Sequence, residues 1–109
     1  MDANKKFTVG HSIAQMLLRH GIDVFFGQAL PQGLSMPFEE LGLRQIAYRT
    51  ENGGGYMTDG YARVSKKPGV MIAQNGPAAT LVVAAAAEAL KSSIPMVILL
   101  QEIPLANED

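Results

Sequence analysis

The fold is decided by a helix-to-strand unit at residues 48–70, which reads YRTENGGGYMTDGYARVSKKPGV. Its amphipathic pattern predicts a helix, and Lys67, Pro68 and Gly69 mark a turn into a buried strand. Three consecutive glycines, Gly53 to Gly55, oppose this helix by about 2–3 kcal/mol, because each costs roughly 0.8–1 kcal/mol relative to alanine. A cost of this size indicates that another group packs directly against the backbone of these glycines.

The small residues of this helix lie on or next to the same helical face as an acidic residue. Glu51, Gly55, Thr58 and Ala62 share one helical face, and Gly54 lies next to it. This stripe predicts that another helix or a flat ring approaches the backbone there. On spacing alone, Glu51 is most simply a first-turn acid stabilised by the helix dipole. A carboxylate that faces a ligand is the alternative, and the glycines favour it.

Helix and strand signals alternate on both sides of this unit. The first predicted helix, at 7–20, is capped by Thr8 and ended by Gly21. Strands are predicted at 23–26, 43–48, 70–73 and 95–100. A further helix, at 77–91, is almost wholly apolar and must be covered on several sides. The connector at 27–42 is predicted to be a loop with at most two turns of helix. This order predicts an α/β fold, a doubly wound parallel sheet with helices on both faces. We expect residues 1–109 to be one domain truncated at its C-terminal end.

Composition excludes several classes of function. The chain has 109 residues and a net charge of −1, so it carries no surplus of basic residues for nucleic acid or an anionic membrane. The longest apolar run, 81–87, is far shorter than the roughly 20 residues of a membrane span. Without cysteine there is no thiolate chemistry, and His11 and His20 have no acidic partner at ligand spacing, so no metal site is predicted. A cytoplasmic location is expected.

The carboxyl ends of the predicted strands are the candidate site. Ligands of open parallel sheets bind there, and the ends fall at 27–30, 50–53, 74–77 and 101–103. Glu51 lies at one of them. At another, Asn75 before Gly76 and Pro77 is either a routine helix cap or a donor arrangement aimed at a ligand.

Four stretches together resemble a known family. They are Asp59-Gly60-Tyr61-Ala62-Arg63 followed by Pro68-Gly69, RHGIDVFFG at 19–27, NGPAAT at 75–80 and SSIPMVILLQ at 92–101. In order and spacing they are similar to the pyrimidine-binding domain of thiamine diphosphate-dependent enzymes, in the acetolactate synthase and 2-oxo acid decarboxylase group. The resemblance runs almost end to end. It departs from the family at Thr50, Ala78 and Leu81, where the family usually has His, Gly and Asn, and at QALPQG after Gly27.

The resemblance implies a role for the acid of the glycine helix. Glu51 would be the glutamate that hydrogen-bonds N1′ of the aminopyrimidine and promotes the imino tautomer, which takes the proton from thiazolium C2. The carbanion so formed would then attack a 2-oxo acid or an equivalent donor. The resemblance and the strand ends together imply that Gln28, Ala29, Asn75 and Leu81 also contact the cofactor. The small residues of the helix would lie near a two-fold dimer interface.

The resemblance also implies partners that this chain lacks. Mg²⁺ and the diphosphate would be held by a separate domain or subunit, and the assembly would be a homodimer or homotetramer. Together with that domain or subunit, the chain would act as a lyase or transferase that decarboxylates or carboligates a 2-oxo acid. One alternative is a non-catalytic binding or regulatory module that retains the fold and dimer surface, although the retained Glu51 argues against it. Another is an unrelated flavodoxin-like domain with a chance match, which the ordered matches disfavour.

Overall fold

The computed structural model describes residues 6–102. Four parallel strands form one sheet in the order β2-β1-β3-β4. The elements in chain order are α1 Val9–Arg19, β1 Val24–Gly27, α2 Gln32–Glu40, β2 Arg44–Ala47, α3 Glu51–Ser65, β3 Gly69–Ala73, α4 Pro77–Thr80, α5 Val83–Lys91 and β4 Met96–Leu100. The predicted parallel α/β sheet is confirmed, and every predicted strand is present within two residues of its expected bounds.

Alternate residues of the strands build two cores, one on each face of the sheet. Phe25, Val70 and Ile72 face α1 and α2, and their cluster includes Ala14 and Phe38 from those helices. On the other face, a second cluster formed by Phe26, Tyr48, Met71, Ala73 and Val82 packs beneath α3 and the start of α5. All of β3 is buried, and each fully buried aliphatic side chain stabilises the fold by about 1.5–3 kcal/mol. The predicted helices on both faces are therefore confirmed.

The first helix begins with the predicted cap. The Thr8 hydroxyl accepts the N–H of His11, and Nδ1 of His11 accepts the N–H of Thr8 at 3.0 Å. His11 is buried, and its Nε2 lies 3.0 Å from a carboxylate oxygen of Glu40. His11 therefore has an acidic partner that no local spacing indicates, because Glu40 lies 29 residues further along the chain on α2.

The second helix is longer than the sequence suggests. It has nine residues and contains Gly33 and Pro37, both of which disfavour helix. Packing explains its presence, because a Cβ added to Gly10 of α1 would lie 2.1 Å from the Gly33 carbonyl oxygen and 2.8 Å from Cγ of Pro37. The close crossing of α1 and α2 thus covers the carbonyl group to which Pro37 has no N–H to donate.

The predicted single helix at 77–91 is wrong, because it is two helices. Leu81 and Val82 separate α4 from α5, and Val82 donates its N–H three residues back to Ala79 instead of four. The Thr80 hydroxyl also bonds back to the Pro77 carbonyl at 2.8 Å, which competes with regular helix bonds.

Two further expectations for this segment are corrected. Asn75 does not cap the helix, because Gly76, with a φ of +68°, takes the N-cap position and there is no side-chain cap. The apolar α5 is not covered on several sides by the described residues, since Ala85 and Ala89 are buried while Val83 and Leu90 are exposed. No helix within residues 6–102 is long and apolar enough to cross a membrane.

Candidate functional site

The strand order creates a switch point between β1 and β3. From β1 the chain passes through α2 to β2 on one side, then through α3 to β3 on the other, and α2 and α3 lie on opposite faces. Ligands of open parallel sheets bind at the carboxyl end of such a crevice. Gln28 and Ala29 follow β1 there, and Asn75 lies just beyond β3.

Glu51 is the first residue of α3 and follows the end of β2 by four residues. The helix begins at this point because the Thr50 hydroxyl accepts the N–H of Gly53 at 3.1 Å, so Thr50 serves as the N-cap. Glu51 is partly buried, and among residues 6–102 its carboxylate makes no hydrogen bond and no ion pair. Within the described part of the chain, the Glu51 carboxylate is therefore free to bind another group.

Tyr48 is the polar side chain beneath this helix start. Its ring is buried, and its hydroxyl donates to the carbonyl oxygen of Ile72 at 2.8 Å. Burial, and after it the charge of Glu51, raises the pKa of Tyr48 to about 12. The phenol therefore keeps its proton at neutral pH and serves as a fixed neutral neighbour of Glu51.

The glycines make room for two close contacts inside the chain. A Cβ added to Gly54 would lie 2.4 Å from two ring atoms of Tyr48, and one added to Gly55 would lie 2.5 Å from Cβ of Ala85 on α5. The predicted approach of a ring and of a helix is thus confirmed. These contacts account for Gly54 and Gly55 without a second subunit, and the proximity of the stripe to a dimer interface stays a prediction.

The raised pKa of Tyr48 predicts a loss of stability at high pH. Because the folded-state pKa lies above the ordinary value of 10.0, the buried phenol contributes stability that is complete below about pH 10 and is lost as the pH rises through about 12. Absorbance of tyrosinate should show one tyrosine titrating near pH 12. Tyr48→Phe should remove that step, whereas Tyr56→Phe, at an exposed position, should retain it. Retention of the step in Tyr48→Phe would assign it to another tyrosine.

Two of the predicted cofactor residues lie against the chain that leads into Glu51. The side-chain nitrogen of Gln28 donates to the carbonyl oxygens of Tyr48, at 3.2 Å, and of Arg49, at 2.9 Å. Ala29 has a φ of +65°, and its N–H donates to Oε1 of Gln45 at 2.8 Å. Tyr48 and Gln45 are not predicted from the sequence, because only the pairing of β1 with β2 brings them to this edge.

The other two predicted cofactor residues are less closely tied to Glu51. Asn75 is partly buried beyond the end of β3, and Leu81 is 49% exposed in the break between α4 and α5. Within the described part of the chain no hydrogen bond links either residue to the loop that precedes Glu51. Their contacts with a cofactor stay predictions.

A groove at this edge lies on the α1 and α2 side. Its volume is about 570 Å³, and it is lined by the first residues of both helices together with Gln74 and Gln101, which follow β3 and β4. Glu51 is not among its lining residues. Across residues 6–102, no three His, Asp or Glu side chains come close enough to hold a metal ion. The described residues therefore offer the unpaired carboxylate of Glu51 and no cluster of ligands for a metal.

The Asp59 to Arg63 segment of the matched motif ties α3 to α5. The guanidinium of Arg63 donates to the buried carboxylate of Asp59 one turn earlier. It also reaches Glu88 of α5, with Nη2 3.4 Å from Oε1. The other carboxylate oxygen of Asp59 is buried without a hydrogen-bond partner among the described residues. The charged residues of this segment thus support the packing of α3, which carries Glu51 at its other end.

Comparisons with known proteins agree with this arrangement. The family described as "Thiamine pyrophosphate enzyme, N-terminal TPP binding domain" matches residues 7–109. A protein of Pseudomonas aeruginosa named probable 2-ketoarginine decarboxylase AruI is 36% identical over 103 residues, which is 91% of this chain and 18% of that protein. The chloroplastic acetolactate synthase of Arabidopsis thaliana is 37% identical over 97 residues, 84% of this chain and 14% of the relative.

A third relative shows the same proportions. The mitochondrial acetolactate synthase catalytic subunit of Saccharomyces cerevisiae is 35% identical over 102 residues, which is 89% of this chain and 15% of the subunit. The chain therefore spans less than a fifth of the length of these curated relatives. Most of each relative lies outside the region that the chain matches.

Proposed function

This chain belongs to the thiamine pyrophosphate enzyme family, as its N-terminal TPP-binding domain, and from that premise we propose how it works. It is the cofactor-activating part of an enzyme that decarboxylates or carboligates 2-oxo acids. Glu51 is its catalytic residue, and it shares a proton with N1′ of the cofactor's pyrimidine. Ala29, Asn75 and Leu81 border the ring, and Gln28 lies beside Ala29 in the loop after β1.

The observation that carries the proposal is the state of Glu51. Its carboxylate lies at the carboxyl edge of the sheet, partly buried, without a hydrogen-bond or ion-pair partner among residues 6–102. A carboxyl group in such a place can exchange a proton with a ring nitrogen that binds against it. Tyr48 beneath it is neutral, and its hydroxyl already donates a hydrogen bond to the carbonyl oxygen of Ile72, so it does not compete for that role.

The remaining parts of the machinery are supplied by other domains or subunits. Thiamine diphosphate, when bound, supplies the thiazolium carbon that attacks the carbonyl group of a 2-oxo acid. A diphosphate-binding domain or subunit holds Mg²⁺ and the diphosphate, and the assembly is a homodimer or homotetramer. The small share of each relative that this chain covers supports the need for such a partner. The cytoplasmic location stays a prediction, and two of the relatives are chloroplastic and mitochondrial.

The test is turnover in the assembled protein, with the diphosphate-binding part present. Thiamine diphosphate and Mg²⁺ are added to a panel of 2-oxo acids that includes 2-ketoarginine. We expect at least one acid to be consumed with release of CO₂, only when the cofactor is present. An aldehyde product identifies a decarboxylase, and a product joining two acyl units identifies a carboligase. Tight cofactor binding with no acid consumed would favour the non-catalytic module.

A further inference from the structure

Two glutamine side chains form hydrogen bonds that link the carboxyl ends of β1 and β2. Gln28, after β1, donates its side-chain N–H groups to the carbonyl oxygens of Tyr48 and Arg49, after β2. Gln45, within β2, accepts the backbone N–H of Ala29, after β1. Each loop is thus bonded to a side chain that the other strand or loop provides. We call these three bonds the glutamine clamp.

The backbone around the clamp is shaped for it. A Cβ added to Gly27 would lie 3.1 Å from Oε1 of Gln45 and 2.9 Å from Cγ1 of Ile72, so glycine leaves the space that the Gln45 side chain needs. Ala29 holds a left-handed conformation, at a φ of +65°, while its N–H meets Gln45. The Ser35 hydroxyl then fixes the Ala29 carbonyl at 2.7 Å. The loop after β1 is therefore anchored from β2 and from α2.

The two carbonyl groups that Gln28 holds directly precede the helix cap. Tyr48 and Arg49 are followed at once by the N-cap Thr50 and by Glu51. Because the chain between the end of β2 and α3 is so short, a displacement of these carbonyl groups moves the first turn of the helix. The amide nitrogen of Gln28 is occupied by this contact, so the residue acts on the backbone before Glu51.

We propose that Gln28 is a positioning residue for Glu51, which acts through the glutamine clamp by fixing the segment at 48–50 against the loop after β1. The proposal rests on the proposed function of Glu51. It differs from the expectation that Gln28 forms a wall against the pyrimidine, because it predicts an effect on proton transfer without an equal effect on cofactor affinity. A displacement of about 1 Å in a catalytic group is enough to lower a rate by up to about 100-fold.

The first arm of the test needs no cofactor. Gln28→Met keeps the length of the side chain and removes both donors, and Gln15→Met makes the same change at an exposed position on α1. Gly53 and Gly54, whose N–H groups bond to Thr50, report on the first turn of α3. We expect their amide hydrogen exchange to be about fivefold faster in Gln28→Met and unchanged in Gln15→Met. Equal exchange in Gln28→Met and wild type would overturn the clamp.

The second arm uses the assembled protein with thiamine diphosphate and Mg²⁺. At saturating cofactor, Gln28→Met should slow exchange of the cofactor's C2 proton by about tenfold, while the dissociation constant of the cofactor changes by less than about twofold. A weaker affinity with an unchanged exchange rate would show that Gln28 contacts the ring, and it would overturn the positioning role. If Gln28→Met does not fold, Gln45→Met removes the other half of the clamp and should slow exchange in the same way.

A double variant separates this proposal from the proposed function. In the Glu51→Gln background, Gln28→Met should cause no further loss, because a residue that acts through Glu51 has nothing left to position. A further tenfold loss would show that Gln28 acts independently and would overturn the proposal. A wild-type rate in Glu51→Gln alone would instead overturn the proposed function. The amide exchange of Gly53 and Gly54 would still decide whether the clamp holds the helix start.

Discussion

Glu51→Gln is expected to slow exchange of the cofactor's C2 proton by about 100-fold or more in the assembled protein. The amide has nearly the shape of the carboxyl group but can neither accept nor release a proton near neutral pH, so it removes proton transfer and leaves packing intact. Positioned acid–base groups contribute about 10²–10⁴-fold to such steps. The exchange rate is measured with thiamine diphosphate and Mg²⁺ at saturation, so that weaker binding does not imitate the effect.

Glu39→Gln is the matched control for this substitution. Glu39 is an exposed acid near the end of α2, and its replacement removes the same charge away from α3. It should leave the exchange rate within about twofold of wild type. In the absence of cofactor, Glu51→Gln should also lower the pKa of Tyr48, because the charge of Glu51 is one of the two causes that raise it. Equal exchange rates in Glu51→Gln and Glu39→Gln would remove Glu51 from the mechanism.

Gly54→Ala is expected to lower the free energy of unfolding by about 2 kcal/mol, although alanine is the better helix former. The new methyl group would lie 2.4 Å from Cγ and Cδ2 of Tyr48. That ring cannot easily retreat, because its hydroxyl is bonded to Ile72 and it belongs to the buried cluster beneath α3. In a chain of this size such a loss lowers the thermal midpoint by roughly 10 °C, which calorimetry measures directly.

Gly60→Ala makes the same change five residues after Gly55 on α3. A Cβ added to Gly60 meets no atom within 4 Å. The variant should therefore gain helix propensity and raise the free energy of unfolding by about 0.5–1 kcal/mol. In a double-mutant cycle, Tyr48→Val should relieve much of the cost of Gly54→Ala, because it removes the ring that the methyl group strikes. Similar stabilities for Gly54→Ala and Gly60→Ala would mean that Tyr48 does not set this limit.

The parts of the fold that the sequence predicts are those with local signals. Strands β1, β3 and β4 are apolar runs bounded by glycine, proline or polar turns, and α3 has a threonine cap and an amphipathic pattern. The helix α2 is underestimated because Gly33 and Pro37 disfavour it locally, whereas the crossing with α1 stabilises it. The break between α4 and α5 escapes prediction because no glycine or proline marks it, and a Thr80 hydroxyl bond accompanies it.

In the candidate site too, only some features can be predicted from the sequence. Glu51 and its place at the start of α3 follow from the glycine pattern and the resemblance, and its role stays a prediction. The contacts around it depend on the register of β1 with β2, in which Gly27 pairs with Ala47. That pairing brings the Gln28 side chain to the carbonyl groups of 48 and 49. A single sequence does not contain the register, so neither the clamp nor the buried Tyr48 beneath it can be derived from composition or spacing.

The protonated phenol of Tyr48 limits which groups can shape a pH–rate profile of the assembled protein. Because the phenol ionises only near pH 12, it contributes no inflection across the range in which enzymes are normally assayed. Any alkaline limb that appears below about pH 11 must be assigned to the cofactor, the substrate or a different side chain. A phenylalanine at position 48 should leave the shape of that limb unchanged, even where it alters its height.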